Sequence, residues 1–183
     1  MTSSPPLRVC FVCTGNICRS PMAEAVFRAR IEEAGLADRV VIDSAGTGGW
    51  HEGDDADPRT LAVLREAGYE LAHSARQFRP EWFERLDLII ALDSGHLHDL
   101  RELAPTETDA AKVRLLRACT LPDPASYATT ALDPDVPDPY YGGMSGFEDC
   151  LAMVEAASED LLTVVRAALA GRDTHDERAE TSA

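Results

Sequence analysis

Residues 7–13 (Leu-Arg-Val-Cys-Phe-Val-Cys) form a nearly continuous apolar run that stops abruptly at Thr-Gly-Asn. So little polar interruption suits a β-strand buried on both faces, as in a parallel sheet. A helix is predicted from about Ser20, with Pro21 at a favoured first-turn position. Met22, Ala23, Val26, Phe27, Ile31 and Ala34 make its apolar stripe, and Glu24, Arg28 and Glu32 its polar side at i, i+4 spacing. Gly35 ends it. The pattern then recurs: a strand over Arg39–Ala45, a Gly-rich loop over Gly46–Gly53, and a helix over Pro58–Ala67 stopped by Gly68. Asp87–Leu92 reads as a third buried strand followed by a helix near Gly95–Leu103, and Lys112–Arg117 as a fourth strand. Leu121–Tyr141, with its prolines and aspartates, is expected to be a long irregular loop, and such loops are usually functional. Phe147, Leu151, Val154, Leu161, Leu162, Val165 and Leu169 mark a closing amphipathic helix. Strands alternating with helices imply βαβ units and a mostly parallel sheet, with ligands bound beyond the carboxyl ends of the strands. One domain is expected over residues 1–171, with a polar, disordered tail over 172–183.

Composition narrows the class. With 183 residues, 45% hydrophobic and 27% charged, the chain is long enough for a real core and ordinary for a globular domain. Seventeen Lys+Arg against 32 Asp+Glu give a formal charge of −15, which argues against nucleic acid or an anionic membrane as partner. No apolar run approaches the roughly 18 residues of a membrane span, and residues 1–8 lack the features of a signal peptide. Five cysteines, three of them within Cys10–Cys18, make a poor disulfide framework. A reduced, cytoplasmic protein is the expectation, as a monomer or weak oligomer.

The chemistry concentrates in Cys13-Thr14-Gly15-Asn16-Ile17-Cys18-Arg19-Ser20, between a buried strand and a helix N-terminus. Backbone N–H groups there have no helical partner, and the helix dipole adds positive charge, so the turn can hold a phosphate-like anion. Gly15 is expected to let the backbone fold inward, and Arg19 supplies a planar fork for two oxygens. Surroundings that attract an anion also favour a thiolate, and a thiolate at Cys13 facing a bound phosphorus atom describes a nucleophilic phosphatase. The Gly-Lys-Ser/Thr ending of a nucleotide-binding loop is absent.

The stretch Val-Cys-Thr-Gly-Asn-Ile-Cys-Arg-Ser-Pro-Met-Ala-Glu (12–24), with Asp-Pro-Tyr-Tyr (138–141), closely resembles the low-molecular-weight protein tyrosine phosphatases, and the likeness runs from Arg8 to Leu169. It implies a flavodoxin-like α/β fold, a four-stranded parallel sheet with helices on both faces, acting without metal or organic cofactor on a phosphotyrosine-containing protein. By resemblance Cys13 is the nucleophile, Arg19 the clamp on the equatorial oxygens, and Asp138 the acid that protonates the leaving phenolate and then activates water. Thr14, Gly15, Asn16, Ile17, Cys18 and Ser20 complete the phosphate loop, Ser20 donating a hydrogen bond to the Cys13 thiolate. Asn16, Ser44 and His73 match positions that brace that loop. Trp50, Tyr140 and Tyr141 wall a deep aromatic pocket. Ile17 stands where members resembling protein-arginine phosphatases carry a small polar residue, which favours an aryl ring. Cys18 matches a position that can form a reversible disulfide with the nucleophile.

Competing readings are weaker. Cys10 and Cys13 are spaced like a redox or zinc pair, but i and i+3 on a strand face opposite ways, and no second pair follows. Cys10 is expected in the core. His96 and His98 are expected on the surface, and Asp93, at the end of the third strand, as a structural hydrogen-bonding or a catalytic group. Asp123, Asp133 and Asp135 read as loop solvation rather than a cation site. A thiol-dependent arsenate reductase needs two further relay cysteines, and none lies between Cys18 and Cys119. A phosphotyrosine-binding module has no use for nucleophile, clamp and acid together.

Overall fold

Alternation along β1 (Leu7–Cys13) decides what each of its residues packs against. Val9, Phe11 and Cys13 face the larger hydrophobic core. Cys10 and Val12 face a second core on the opposite side, so the two cysteines do point apart. The computed structural model describes the backbone of residues 4–121 and 133–181, with side chains through residue 174. Asp123 and the 122–132 stretch of the irregular segment lie outside the described residues.

β1 pairs in parallel with β2 (Val40–Gly46) and with β3 (Leu88–Ala91), and β3 with β4 (Val113–Leu115), giving the order β2-β1-β3-β4. The connection from β1 leads to one side of the sheet and the chain later returns to the other. The end of β1 is therefore the switch point where a ligand crevice opens. The larger core lies under α1 (Arg19–Glu33), α2 (Pro58–Glu66) and α5 (Met144–Thr181), with Phe11 edge-on to Phe27 at 5.7 Å. The second lies under α3 (Ser94–Leu103), with Phe78 and Phe83 contributed by the segment that ends in a 3₁₀ turn at Pro80–Glu84. The short α4 (Glu107–Ala110) leads into β4, which is three residues long because Leu116–Ala118 closes into another 3₁₀ turn.

Three expectations are corrected. The chain does not fray at Arg172; α5 continues to Thr181. Two side chains anchor the start of that stretch: Arg172 pairs with Asp87 and donates to the Pro5 carbonyl, and Asp173 pairs with Arg39 at 2.6 Å. Glu24 belongs to the buried face of α1, because that helix is enclosed by the sheet and α5 and its carboxylate has a buried partner in Ser44. His96 is 4% exposed, since Asp93 caps α3 through the His96 N–H and turns the imidazole toward the sheet end rather than outward.

Candidate active site

The phosphate loop is built by turning its carbonyls outward. Cys13 O accepts from Thr47 N at 2.8 Å, Thr14 O from Gly48 N at 3.0 Å, and Ile17 O from Asp57 N at 2.8 Å. His73 Nε2 lies 2.6 Å from Asn16 O and donates to it. No amide of residues 14–18 donates to a protein acceptor among the described residues, which leaves these N–H groups for an anion. The close approach needs Gly46, where a Cβ would sit 2.7 Å from Thr14 O.

Gly15 was expected to supply the inward fold, but the left-handed residue is Asn16, at φ 57°. Asparagine tolerates that region, and here its amide bonds over-determine it. Asn16 Nδ2 donates to Ser20 Oγ at 2.8 Å and Ser44 Oγ at 3.0 Å, while Oδ1 accepts from Arg76 N at 3.0 Å. Ser44 in turn donates to Glu24. The proton directions follow from that carboxylate: Ser44 must give, so it must accept from Asn16. Ser20 Oγ lies 3.0 Å from Cys13 Sγ and 3.2 Å from Ala45 O, so its one proton can serve a Cys13 thiolate.

Arg19 is 3% exposed. Its Nη1 donates to Asp93 Oδ2 at 2.7 Å and Val136 O at 3.0 Å, and its Nη2 lies 3.4 Å from both Thr14 Oγ1 and Asp138 Oδ2. Burial works against the guanidinium charge, but Cys13, Asp138 and Asp93 outweigh it and push its pKa up. Asp93 is likewise held below the usual carboxylate range: desolvation opposes this, and the His96 N–H, the His96 ring and Arg19 together prevail. Burial first, and Arg19 after it, lower the pKa of His96.

Asp138 stands 40% exposed at the mouth. Its segment is stapled on both sides: Val136 N donates to Leu92 O, and Arg59 donates to the Tyr140 and Gly142 carbonyls at 3.1 and 3.0 Å. Arg59 also pairs with Asp57, the cap of α2, and lies 4.4 Å over the Phe147 ring. Cys13, Thr14, Gly15, Ile17, Cys18, Arg19, Trp50, His51, Asp138, Tyr140 and Tyr141 line a cavity of about 350 Å³. The aromatic wall is a rim: Trp50 is 76% and Tyr141 91% exposed, with Tyr140 edge-on to Tyr141 at 5.0 Å. Asn16, Ser20, Ser44 and His73 lie behind the loop rather than in the cavity. Burial raises the Cys18 thiol to about 12, helped by Asp57 and Cys13, and raises Cys10 and Cys150 to about 12 as well.

Sequence reasoning missed Glu24, His51, Arg59 and the His96–Thr14 contact. Only Arg59 carried a local signal, since Asp57-Pro58 reads as a helix cap and first turn with a basic residue beside it. Among the described residues no cluster of His, Cys, Asp and Glu could hold a metal ion.

A flavodoxin-like parallel sheet, with an anion-binding cysteine loop at its switch point, defines a small class of phosphate-handling enzymes. The family model "Low molecular weight phosphotyrosine protein phosphatase" matches residues 8–171. A low-molecular-weight protein-tyrosine-phosphatase of Streptomyces coelicolor is 68% identical over 90% of this chain and 97% of its own length. The crystal structure of a protein tyrosine phosphatase from Entamoeba histolytica superposes with a TM-score of 0.78 at 34% identity, covering 88% of this chain and 98% of that one. A Drosophila arginine phosphatase superposes at 0.74 with 31% identity, covering 86% and 96% respectively. The chain belongs to the low-molecular-weight protein-tyrosine-phosphatase family, hydrolases of phosphoric monoesters that act through a cysteine.

Proposed function

We propose that Cys13, Arg19 and Asp138 carry the phosphotyrosine hydrolysis in this chain. The observation that carries this is the meeting, in one cavity, of a sulfur 3.0 Å from a serine hydroxyl, a buried guanidinium and a carboxylate 3.4 Å from it. A substrate phosphate takes its oxygens to the amides of residues 14–18 and to Arg19. The Cys13 thiolate attacks phosphorus in line as the phenolate leaves, and Asp138, protonated, gives its proton to that oxygen. Asp138 then takes a proton from water, which attacks the phosphocysteine and frees phosphate. Donors already aimed at the equatorial oxygens need no rearrangement as charge redistributes.

Ile17 and the aromatic rim give an aryl ring apolar surface, which favours phosphotyrosine over phosphoarginine. The formal charge of −15 does not oppose a dianion: distant charges are screened beyond roughly 8 Å, while Arg19 and the amides act at contact. The same charge supports a partner that is a phosphoprotein rather than nucleic acid or an anionic membrane. No helix among the described residues is long and apolar enough to cross a membrane. The five cysteines, all free and buried, suit the reducing cytoplasm.

Mass spectrometry of enzyme quenched during turnover should find phosphate on Cys13, and Cys13→Ser should abolish hydrolysis while still binding phosphate. A variant that kept most of its activity would remove Cys13 from the mechanism. Phosphoarginine hydrolysed faster than phosphotyrosine would overturn the aryl preference.

A further inference from the structure

Arg19 is held at its two terminal nitrogens by different groups, Asp93 at Nη1 and Thr14 Oγ1 at Nη2. Both of those groups touch one residue. His96 Nε2 lies 2.8 Å from Thr14 Oγ1, and His96 Nδ1 lies 3.1 Å from Asp93 Oδ1. Arg19, Asp93, His96 and Thr14 thus close a ring beneath the phosphate loop, with His96 and Arg19 buried.

Proton counting gives the ring a direction. A lone pair on Nδ1 would face the Asp93 carboxylate at 3.1 Å, so the ring proton belongs on Nδ1. That contact is off the line of a good hydrogen bond, and Nδ1 has no better-aligned partner, so the imidazole is held mainly from its other end. A neutral ring then leaves Nε2 as an acceptor, and the Thr14 hydroxyl must donate to it. With its proton committed to His96, the hydroxyl turns lone pairs toward Arg19 Nη2. Without His96 the hydroxyl can rotate and present its proton to the guanidinium. Burial, which disfavours an imidazolium here, supports the neutral form.

We propose that His96 is a positioning residue for the phosphate clamp, fixing the Thr14 hydroxyl so that it accepts from Arg19 and thereby holding the guanidinium plane against Asp93. This rests on Arg19 being the phosphate ligand. His96 touches no substrate, and its effect passes through Thr14.

The test is a double-mutant cycle on the full chain with His96→Ala, Thr14→Val, both together, and Thr14→Ser. Inorganic phosphate binding is measured by calorimetry, and kcat/KM on two aryl phosphates, one with a good and one with a poor leaving group. Each of His96→Ala and Thr14→Val should weaken phosphate about tenfold, the scale of one charge-assisted hydrogen bond. Each should lower kcat/KM by a similar factor on both substrates, leaving the dependence on leaving group unchanged. The double variant should lose no more than either single one, and Thr14→Ser, which keeps the hydroxyl, should recover most of the phosphate affinity that Thr14→Val loses.

Losses that multiply to roughly a hundredfold in the double variant would show that His96 acts by packing alone and overturn the proposal. So would a Thr14→Val enzyme that binds phosphate as tightly as the parent. If His96→Ala fails to fold, His96→Gln and His96→Leu decide, because glutamine keeps an acceptor for the Thr14 hydroxyl and leucine does not; equal phosphate binding by the two would overturn the proposal. A parent enzyme that neither binds phosphate nor hydrolyses aryl phosphates would instead sink the assignment of Arg19.

Discussion

Asn16 is the residue on which the loop's shape and the hydroxyl partner of Cys13 both depend, and replacing it separates two physical effects. Asn16→Ala removes three hydrogen bonds of a fully buried amide, to Ser20, Ser44 and the Arg76 N–H. At about 1 kcal/mol each, that is roughly 3 kcal/mol of folding stability. Alanine also has no amide to offset the left-handed backbone at φ 57°, which costs about a further 1–2 kcal/mol. Asn16→Gly loses the same three bonds but none of the steric cost, offset by roughly 0.5–1 kcal/mol of extra chain entropy in the unfolded state. Urea unfolding should therefore place Ala about 4–5 kcal/mol and Gly about 3.5–4 kcal/mol below the parent, within reach of a domain with roughly 5–15 kcal/mol in hand. Both variants should also lose activity by about tenfold, the scale of one hydrogen bond to a charged group, since Ser20 is then free to turn its proton from Cys13 to Ala45 O. Losses under about 1 kcal/mol in both would refute the view that this network holds the loop. A glycine variant less stable than the alanine one would refute the backbone term.

Two further outcomes follow from the same geometry. Asp138→Asn should slow aryl phosphates with poor leaving groups far more than activated ones, measured as kcat/KM across a leaving-group series; equal losses throughout would take Asp138 out of proton transfer. Asp93 has its pKa lowered in the folded chain from the ordinary 3.8. Its contribution to stability is therefore complete above the unfolded value and lost as pH falls through the folded one. Urea midpoints of the parent and Asp93→Asn should differ most near pH 6 and converge on acidification below about pH 4, the unfolded carboxyl range. A gap that did not change with pH would mean that no proton is linked to the Arg19 pair.

How much of this was legible in the chain depends on whether the partners of a residue are close in sequence. The buried β1 run, the helix opened by Ser20-Pro21 and the cysteine loop between them are local, and the periodicity that marks them is enforced by the sheet itself. The assignment of Cys10 to the core needed only strand alternation. Glu24 shows where periodicity fails: its spacing with Arg28 is that of a solvated helix face, yet Ser44, twenty positions on, supplies a hydroxyl that makes burial tolerable. His96 was misplaced for a similar reason. Thr14 is 82 residues away in sequence, and only the β1–β3 pairing brings the ends of those strands together. A glycine at position 15 is the local sign of an inward fold, yet the left-handed backbone falls on Asn16. At Asn16 that conformation is stabilised by Ser20, Ser44 and Arg76, groups from three separate segments. The reactive residues of such a site can sit in one short motif because the phosphate is small, whereas the groups that hold them rigid must come from every element that meets at the switch point. A local motif therefore reveals the chemistry before it reveals the bracing, and the bracing residues are those whose burial contradicts their local pattern.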